Sequence, residues 1–384
     1  MKFEFATATR IVFGPGTLAE AGKLAGEWGR RAVVVTGRNP ARAQRLLECL
    51  AAAGIATGIV TIDREPSTDD VARGVALARA FGADAVIGFG GGSAIDAAKA
   101  IAGLLTNDGA PLDYLEVVGQ GRSLARPAAP WMAIPTTAGT GAEVTRNAVL
   151  AVAGRGVKAS LRSPHLLARV ALVDPELTLD LPPGLTAGTG LDALTQLIEA
   201  YVCNRANPLT DAICAAGIPR ATHSLPAAWR DGHDLAARSD LALASLWSGL
   251  ALANSGLGAV HGFAAPIGGL FPAPHGAVCA ALLAPVMAAN IRALRIRAPQ
   301  SHALMRYAEI AHGLTRRIDS TPEHGVESVR SLVVMLGIPR LSAYGIAPAQ
   351  IPEIVARAQQ ASSMKANPVV LTAEELSAAL TEAI

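Results

Sequence analysis

The residues of this 384-residue chain best suited to chemistry are one aspartate and two histidines. Asp192 lies in Leu191-Asp192-Ala193-Leu194-Thr195-Gln196, at the start of an expected helix, and Gln196, four residues on, shares its face. Alone, Asp192 reads as an acid favoured by the positive end of a helix dipole. His261 and His275 change that reading. No Asp, Glu, Lys or Arg occurs between Asp240 and Arg292, and these two imidazoles stand inside that apolar stretch. Burying them costs free energy unless each finds a partner. One carboxylate and two imidazoles suit a divalent first-row metal, Fe2+ or Zn2+, which would act as a Lewis acid on an oxygen.

A second signal is glycine-rich. Gly90-Gly91-Gly92-Ser93 follows an expected strand, Ala85–Phe89, and opens a helix expected from Ala94 to Leu105. A helix N-terminus offers unpaired N–H groups and a positive dipole end. Three glycines let the backbone approach a bulky anion, and Ser93 can cap the helix or donate to a phosphate oxygen. A pyrophosphate fits these features. The usual dinucleotide fingerprint is absent after the first strand, where the chain reads Thr36-Gly37-Arg38-Asn39-Pro40, so an ordinary Rossmann protein is excluded. Pro135-Thr136-Thr137-Ala138-Gly139-Thr140-Gly141-Ala142-Glu143 gives a second polar turn at a strand end, which suits a nucleotide crevice.

The elements around these residues fall into two halves. Short β-branched or apolar runs at Ala32–Thr36, Ile55–Ile62, Ala85–Phe89 and Trp131–Ile134 alternate with helical spacing at Ala41–Ala53, at Ser67 or Thr68 to Phe81, and at Ala94–Leu105. That rhythm predicts a parallel sheet wrapped by helices. After Leu181-Pro182-Pro183-Gly184 helical periodicity takes over, in segments near 186–203, 208–228, 235–255, 276–296, 299–315, 321–336, 348–361 and 373–382. The expected fold is an α/β N-terminal domain over 1–180 and an all-α domain over 181–384. Leu241–Val260 is long enough to span a bilayer but is interrupted by Asn254, Ser255, Gly256 and Gly258, and reads as a helix buried in protein. Pro266, Pro272 and Pro274 are expected to break the helical pattern beyond His261.

Composition narrows the function. Hydrophobic residues make up 51% and charged residues 17%, which excludes general disorder. The net charge of +2 and the 4% aromatic content argue against a nucleic-acid partner. Cys49, Cys203, Cys214 and Cys279 are scattered with no C-x-x-C pair, as expected of a reducing cytoplasm. The N-terminal MKFEFATATRIVFGPG lacks a signal peptide's apolar core and reads as strand and turn.

These motifs together resemble the iron-containing (group III) alcohol dehydrogenase family over nearly the whole chain. They are Phe13-Gly14-Pro15-Gly16, GGGSAIDAAK (Gly90–Lys99), IPTTAGTGAEVT (Ile134–Thr145), VDPELTLDLPP (Val173–Pro183), TGLDAL (Thr189–Leu194), IEAY (Ile198–Tyr201), GLGAVHG (Gly256–Gly262), PIGG (Pro266–Gly269) and PHG (Pro274–Gly276). The resemblance implies a dehydroquinate synthase-like dinucleotide domain, a helical domain and an active site in the cleft between them. It implies NAD or NADP as cofactor, a small alcohol or carbonyl substrate, and a homodimer or larger assembly. Gly91, Gly92 and Ser93 would hold the pyrophosphate, and Thr136, Thr137 and Thr140 would line the crevice, with Asp96 and Lys158 nearby. Asp192, His261 and His275 match three of the family's four metal ligands and, with Lys158, form the expected catalytic set.

The departures from the family matter as much. Its fourth ligand, a histidine on the Asp192 helix, is here Gln196, whose amide oxygen is a poorer donor to iron or zinc. A further histidine of many members, four residues after the first downstream ligand, is here Ala265. A three-ligand zinc site with an open position is chemically ordinary. Loss of the metal would instead suggest a metal-independent reduction of the maleylacetate reductase kind, or a nucleotide-binding relative without activity. The dehydroquinate synthase type of lyase fits GGGSAIDAAK and PHG less well. At the end of the first strand, many members carry an acid for the adenosine ribose, and here the chain has Gly37 and Arg38, with Arg42 close by. Without the acid, a 2′-phosphate is not repelled and an arginine can pair with it. Steady-state kinetics with both cofactors should therefore show tolerance of, or preference for, NADP, and strong selectivity for NAD would overturn this expectation.

Overall fold

The computed structural model describes residues 2–152 and 157–384, and the chain divides into two compact units. One holds Ala6–Thr137 and Gly141–Leu179. The other holds Asp180–Ile384 together with Ala138–Thr140 and the N-terminal stretch as far as Phe5, so two short segments of the first half group with the helices.

The sheet unit runs β1 (Arg10–Phe13), α1 (Ala21–Gly26), β2 (Arg31–Gly37), α2 (Gln44–Ala52), β3 (Ala56–Ile62), α3 (Thr68–Phe81), β4 (Ala85–Gly90), α4 (Gly92–Leu105), the single turn α5 (Pro111–Tyr114), β5 (Trp131–Pro135), β6 (Asn147–Val152), β7 (Val157–Arg162) and β8 (Val170–Val173). Six strands form one parallel sheet in the order β1-β8-β5-β4-β2-β3. The runs Ala32–Val35 and Ala85–Gly90 are buried throughout, as strands covered on both faces must be. Leu18, Leu24, Leu46, Leu50, Ile87, Ile134 and Leu172 pack into one core on this sheet. Ser67 caps α3: its Oγ accepts from the Asp70 N–H while the Asp70 carboxylate accepts from the Ser67 N–H.

β2 has β3 on one side and β4 on the other. The strand order therefore reverses at the carboxyl ends of β2 and β4, where open α/β sheets bind their ligands. The antiparallel hairpin β6–β7 and the short strand β8 were not visible in the hydrophobic pattern. One expectation is corrected here: α4 starts at Gly92, its N-cap is Gly91 without a side-chain bond, and Ser93 is the helix's second residue rather than its cap.

In the second unit the described elements are α6 (Pro183–Val202), α7 (Pro208–Arg230), α8 (Leu235–Asn254), α9 (Ala259–Leu270), α10 (His275–Arg297), α11 (His302–Thr315), α12 (Pro322–Met335), α13 (Ile351–Gln360) and α14 (Ala373–Ala383). Leu191, Leu194, Leu197 and Ile198 bury α6 in a core shared with Leu241 of α8, Phe263 of α9 and Leu282 of α10. The interrupted stretch Leu241–Val260 is shared by two helices, α8 ending at Asn254 as the segment near 235–255 predicts and α9 bent from it by 97°. Pro266 does not end α9, because burial of Val260, Phe263 and Ile267 outweighs the roughly 3 kcal/mol that an interior proline costs. Among the described residues one helix, α10, is long and apolar enough to cross a membrane, and 83% of its apolar window is buried inside the protein.

Lys99, fully buried on α4, organises the loop after β5. Its ammonium donates to the Ala142 carbonyl at 2.9 Å, the Thr145 hydroxyl at 2.8 Å and the Asn147 carbonyl at 2.7 Å, and lies 3.4 Å from Asp96 Oδ1. Burial lowers its pKa, and Asp96 opposes that shift. Removing one member of a buried ion pair strands the other, at about 3–5 kcal/mol. Lys99→Met should therefore destabilise the sheet unit by about that amount in urea unfolding, and a change within experimental error would show that these bonds are dispensable.

Candidate metal centre and dinucleotide site

The helical unit assembles the first site from three helices. Asp192 on α6, His261 on α9, and His275 and Cys279 on α10 each aim one ligand atom at a common point, with all four atoms within 4.8 Å of one another. His261 Nε2 lies 3.3 Å and His275 Nε2 3.6 Å from Asp192 Oδ1. The Cys279 sulfur is 3.8 Å from His261 Nε2 and 3.6 Å from His275 Nε2. α6 and α10 must run close together for this to happen. A Cβ at Gly276 would collide with the Gly188 carbonyl oxygen, so glycine at 276 lets the two backbones touch one turn before Asp192.

Two of the donors, His261 and Asp192, are held from behind. The imidazole of His261 sets Nδ1 2.6 Å from Glu199 Oε2, which turns Nε2 toward the centre. Glu199 also accepts from the Val260 N–H at 2.7 Å, and Asn367 Oδ1 accepts from the Ala259 N–H at 3.1 Å, so the start of α9 is fixed by side chains from two other segments. Gln196 is not placed as a ligand. Its Oε1 accepts from the Ser248 hydroxyl at 2.7 Å and its amide nitrogen faces Asp192 Oδ2 at 3.4 Å. An acidic oxygen can only accept, which fixes which end of the amide meets it. Gln196 thus orients Asp192, a correction to its expected place among the metal ligands. Asp192 and Glu199 share one face of α6, seven residues apart, and that spacing was the signal in the sequence that could have identified Glu199.

The fit to a cation is tested by Asp192 Oδ1. It is buried and has no hydrogen-bond partner. In the neutral ring, donation of the Nδ1 proton to Glu199 leaves His261 Nε2 as an acceptor, so two acceptors face each other 3.3 Å apart unless a second proton or a metal ion lies between them. A cation between them resolves that conflict. The titration behaviour agrees. Burial opposes charge on His261, yet Cys279, Asp192 and Glu199 hold its pKa well above the usual imidazole range. The Cys279 sulfur, opposed by burial and joined by Asp192, raises His275 to about 9. Burial would raise the Asp192 carboxyl, but His275 and His261 outweigh it and the pKa is lowered. The cluster attracts positive charge. His275 keeps 43% of its side chain exposed, so one side of the centre is open.

The second site lies at the carboxyl ends of β2, β4 and β5. Gly90 has φ +155°, and a Cβ there would lie 2.7 Å from the Ala94 Cβ, so only glycine turns the chain into α4 at this point. The Gly90 carbonyl accepts from the Thr136 N–H at 2.9 Å, and Thr137 lies against Gly91. The first intrahelical bond of α4 runs from the Ile95 N–H to the Gly91 carbonyl, which leaves the N–H groups of Gly92 and Ser93 without intrahelical partners, as an anion site requires. Nothing lies within 4 Å of where a Cβ of Gly37 would be, and Arg38 donates to the Asp63 carbonyl at 3.1 Å.

Three expected site residues are engaged elsewhere. Asp96 accepts from the Val149 N–H at 3.0 Å and faces Lys99, so its carboxylate braces the β6 hairpin. Lys158 on β7 donates to Glu65 at 2.6 Å, an ion pair within the sheet unit. Thr140 groups with the helical unit, whereas Thr136 and Thr137 belong to the sheet unit.

A parallel sheet with an anion-binding switch point, joined in one chain to a helical carboxylate–imidazole centre, defines a class: the dinucleotide-dependent dehydrogenases that carry a metal. Residues 8–175 match the family described as "Iron-containing alcohol dehydrogenase", and residues 186–384 match "Fe-containing alcohol dehydrogenase family, C-terminal". The chain belongs to the iron-containing alcohol dehydrogenase family. It is 35% identical over 381 residues to alcohol dehydrogenase 4 of Saccharomyces cerevisiae, covering 97% of this chain and 96% of that one. It is 40% identical over 288 residues to long-chain-alcohol dehydrogenase 1 of Geobacillus thermodenitrificans, covering 73% and 70%. The crystal structure of a 1,3-propanediol oxidoreductase superposes with a TM-score of 0.93 at 31% identity over the full length of both chains. The family implies NAD(P) and a divalent metal.

Loss of an outer carboxylate behind a ligating imidazole weakens metal binding about 10- to 100-fold. Glu199→Gln should do so here, read by competition with a chromogenic chelator, and unaltered affinity would remove Glu199 from the site.

Proposed function

We propose that this enzyme interconverts a small alcohol and its aldehyde or ketone, with NADP accepted as cofactor and a divalent metal held by Asp192, His261 and His275. The observation that carries the proposal is the buried, unpartnered Asp192 Oδ1 set 3.3 and 3.6 Å from two imidazole nitrogens. When bound, the metal supplies Lewis-acid polarisation of the substrate oxygen and the dinucleotide supplies or takes the hydride.

The chain's own residues do the rest. Asp192 contributes negative charge, and Gln196 with Ser248 keeps its carboxylate from rotating. Glu199 holds His261 in one tautomer and one direction. The N–H groups of Gly92 and Ser93 at the start of α4 take the pyrophosphate, and Thr136 and Thr137 shape the adjoining wall. Gly37 leaves room for a 2′-phosphate, and Arg38 and Arg42, both at the end of β2, supply its countercharge. Ala265, one turn after His261 on α9, cannot carry a proton, so the substrate's hydroxyl proton leaves through solvent or the cofactor ribose. The exposed side of His275 leaves an approach for a substrate oxygen.

His275→Ala should lose both bound metal, by elemental analysis, and alcohol oxidation, at least about 100-fold in kcat/KM. Full turnover by protein stripped of metal would refute the metal's role.

A further inference from the structure

Four protein donors, not three, converge in the helical unit, and the fourth is sulfur. We infer that the Cys279 thiolate is itself a metal ligand, making up the donor that Gln196 no longer provides, and that the resulting site selects zinc over iron. The inference rests on the reading that the site holds a metal and adds to it which atoms do so and which ion they favour.

Spacing gives the first support. His275 and Cys279 are four residues apart in the first turns of α10, so both side chains point from one face toward Asp192. Distances give the second. Zinc bonds of about 2.0–2.1 Å to nitrogen or oxygen and about 2.3 Å to sulfur, arranged tetrahedrally, place neighbouring N/O donors about 3.3 Å apart and sulfur about 3.6 Å from nitrogen. Four of the six edges are 3.3 and 3.6 Å from Asp192 to the two imidazoles and 3.8 and 3.6 Å from the sulfur to the same two nitrogens, and the other two are within 4.8 Å. Each of those four is within a few tenths of an ångström of what one central ion requires.

Hydrogen bonding alone does not account for the cluster. A thiol carries one proton and can donate to one imidazole, yet Cys279 Sγ stands at similar distance from both. Asp192 Oδ1 is buried between the two rings, 3.3 and 3.6 Å from their Nε2 atoms, longer than an ordinary N–H···O bond. A central cation satisfies the carboxylate oxygen, both nitrogens and the sulfur together. Gln196 turns its amide nitrogen, not its oxygen, toward Asp192, while its oxygen accepts from Ser248.

On binding, the sulfur–metal bond forms and the S–H bond breaks, with the proton released to solvent and no change of oxidation state. A thiolate is a soft donor and moves a mixed oxygen–nitrogen site toward zinc.

Cobalt(II) substitution of the whole enzyme tests this directly. A sulfur-to-cobalt charge-transfer band in the near ultraviolet is expected in the wild-type protein, lost in Cys279→Ala and in the nearly isosteric Cys279→Ser, while the weaker d–d bands of bound cobalt remain. Zinc affinity should fall by about 100-fold, at or beyond the upper end of what loss of an outer partner alone costs, and the preference for zinc over ferrous iron should shrink. Bound metal should also protect Cys279 from alkylation, read peptide by peptide against Cys49. Cobalt bound at unit stoichiometry without the sulfur band would overturn the inference and leave the metal site standing. Absence of any bound cobalt, zinc or iron would instead overturn the proposed function on which it rests. The wild-type spectrum decides between these outcomes even if neither variant folds.

Discussion

A buried carboxylate oxygen without a hydrogen bond is the constraint on which this structure turns. Burying a polar atom without a partner costs several kcal/mol in an apolar medium, and burying a charge costs more. Asp192 Oδ1 is in that position, 3.3 Å from Nε2 of a ring whose Nδ1 faces Glu199. Such an arrangement is costly by itself and favourable around a cation. The rest of the helical unit supports it: the close crossing of α6 and α10 at Gly276, the Glu199 and Asn367 bonds at the start of α9, and the Gln196–Ser248 brace on Asp192. Each is a backbone approach or a hydrogen bond made away from the centre, which leaves the inward-facing atoms free.

The sheet unit meets a different demand by different means. Its ligand is a large anion, so the site is made of backbone N–H groups and absent side chains: Gly90 because no Cβ fits, and Gly37 where none obstructs. The charged groups nearby serve the scaffold. Lys99 satisfies two carbonyls and a hydroxyl of the loop beyond β5, and Asp96 ties the same helix to β6. These internal bonds keep the loop at Thr136 and Thr137 in register with the glycine turn, a positioning role easily mistaken for ligand contact when charged residues are judged only by their nearness to a phosphate site.

Much of this was legible from the residues. The parallel sheet showed as β-branched runs alternating with helical spacing. His261 and His275 stood out because no Asp, Glu, Lys or Arg surrounds them for some fifty residues. The parts that stayed hidden have physical causes. Cys279 is a small, buried residue in an apolar helix, where a structural thiol is ordinary, and only the approach of α6 makes it a donor. Glu199 is one acid on a helix until α9 folds against it. Gln196 can present either an oxygen or a nitrogen, and its neighbours, not its identity, decide which. The continuation of α9 through Pro266 reverses what local propensity dictates, because burial of Val260, Phe263 and Ile267 outweighs the lost hydrogen bond.

The exchange of donors also alters the charge of the centre. Three imidazoles and one carboxylate around a divalent ion carry one net positive charge, whereas two imidazoles, a carboxylate and a thiolate leave the same ion formally neutral. A neutral centre costs less to bury among apolar helices. A metal held there would also draw less electron density from an approaching oxygen and would be a milder Lewis acid. Catalysis at such a centre leans more on holding substrate and nicotinamide in line than on charge stabilisation. That shift accords with a site in which Glu199 fixes His261, Gln196 fixes Asp192 and the α6–α10 approach brings His275 and Cys279 to them, with the face of His275 as its open side.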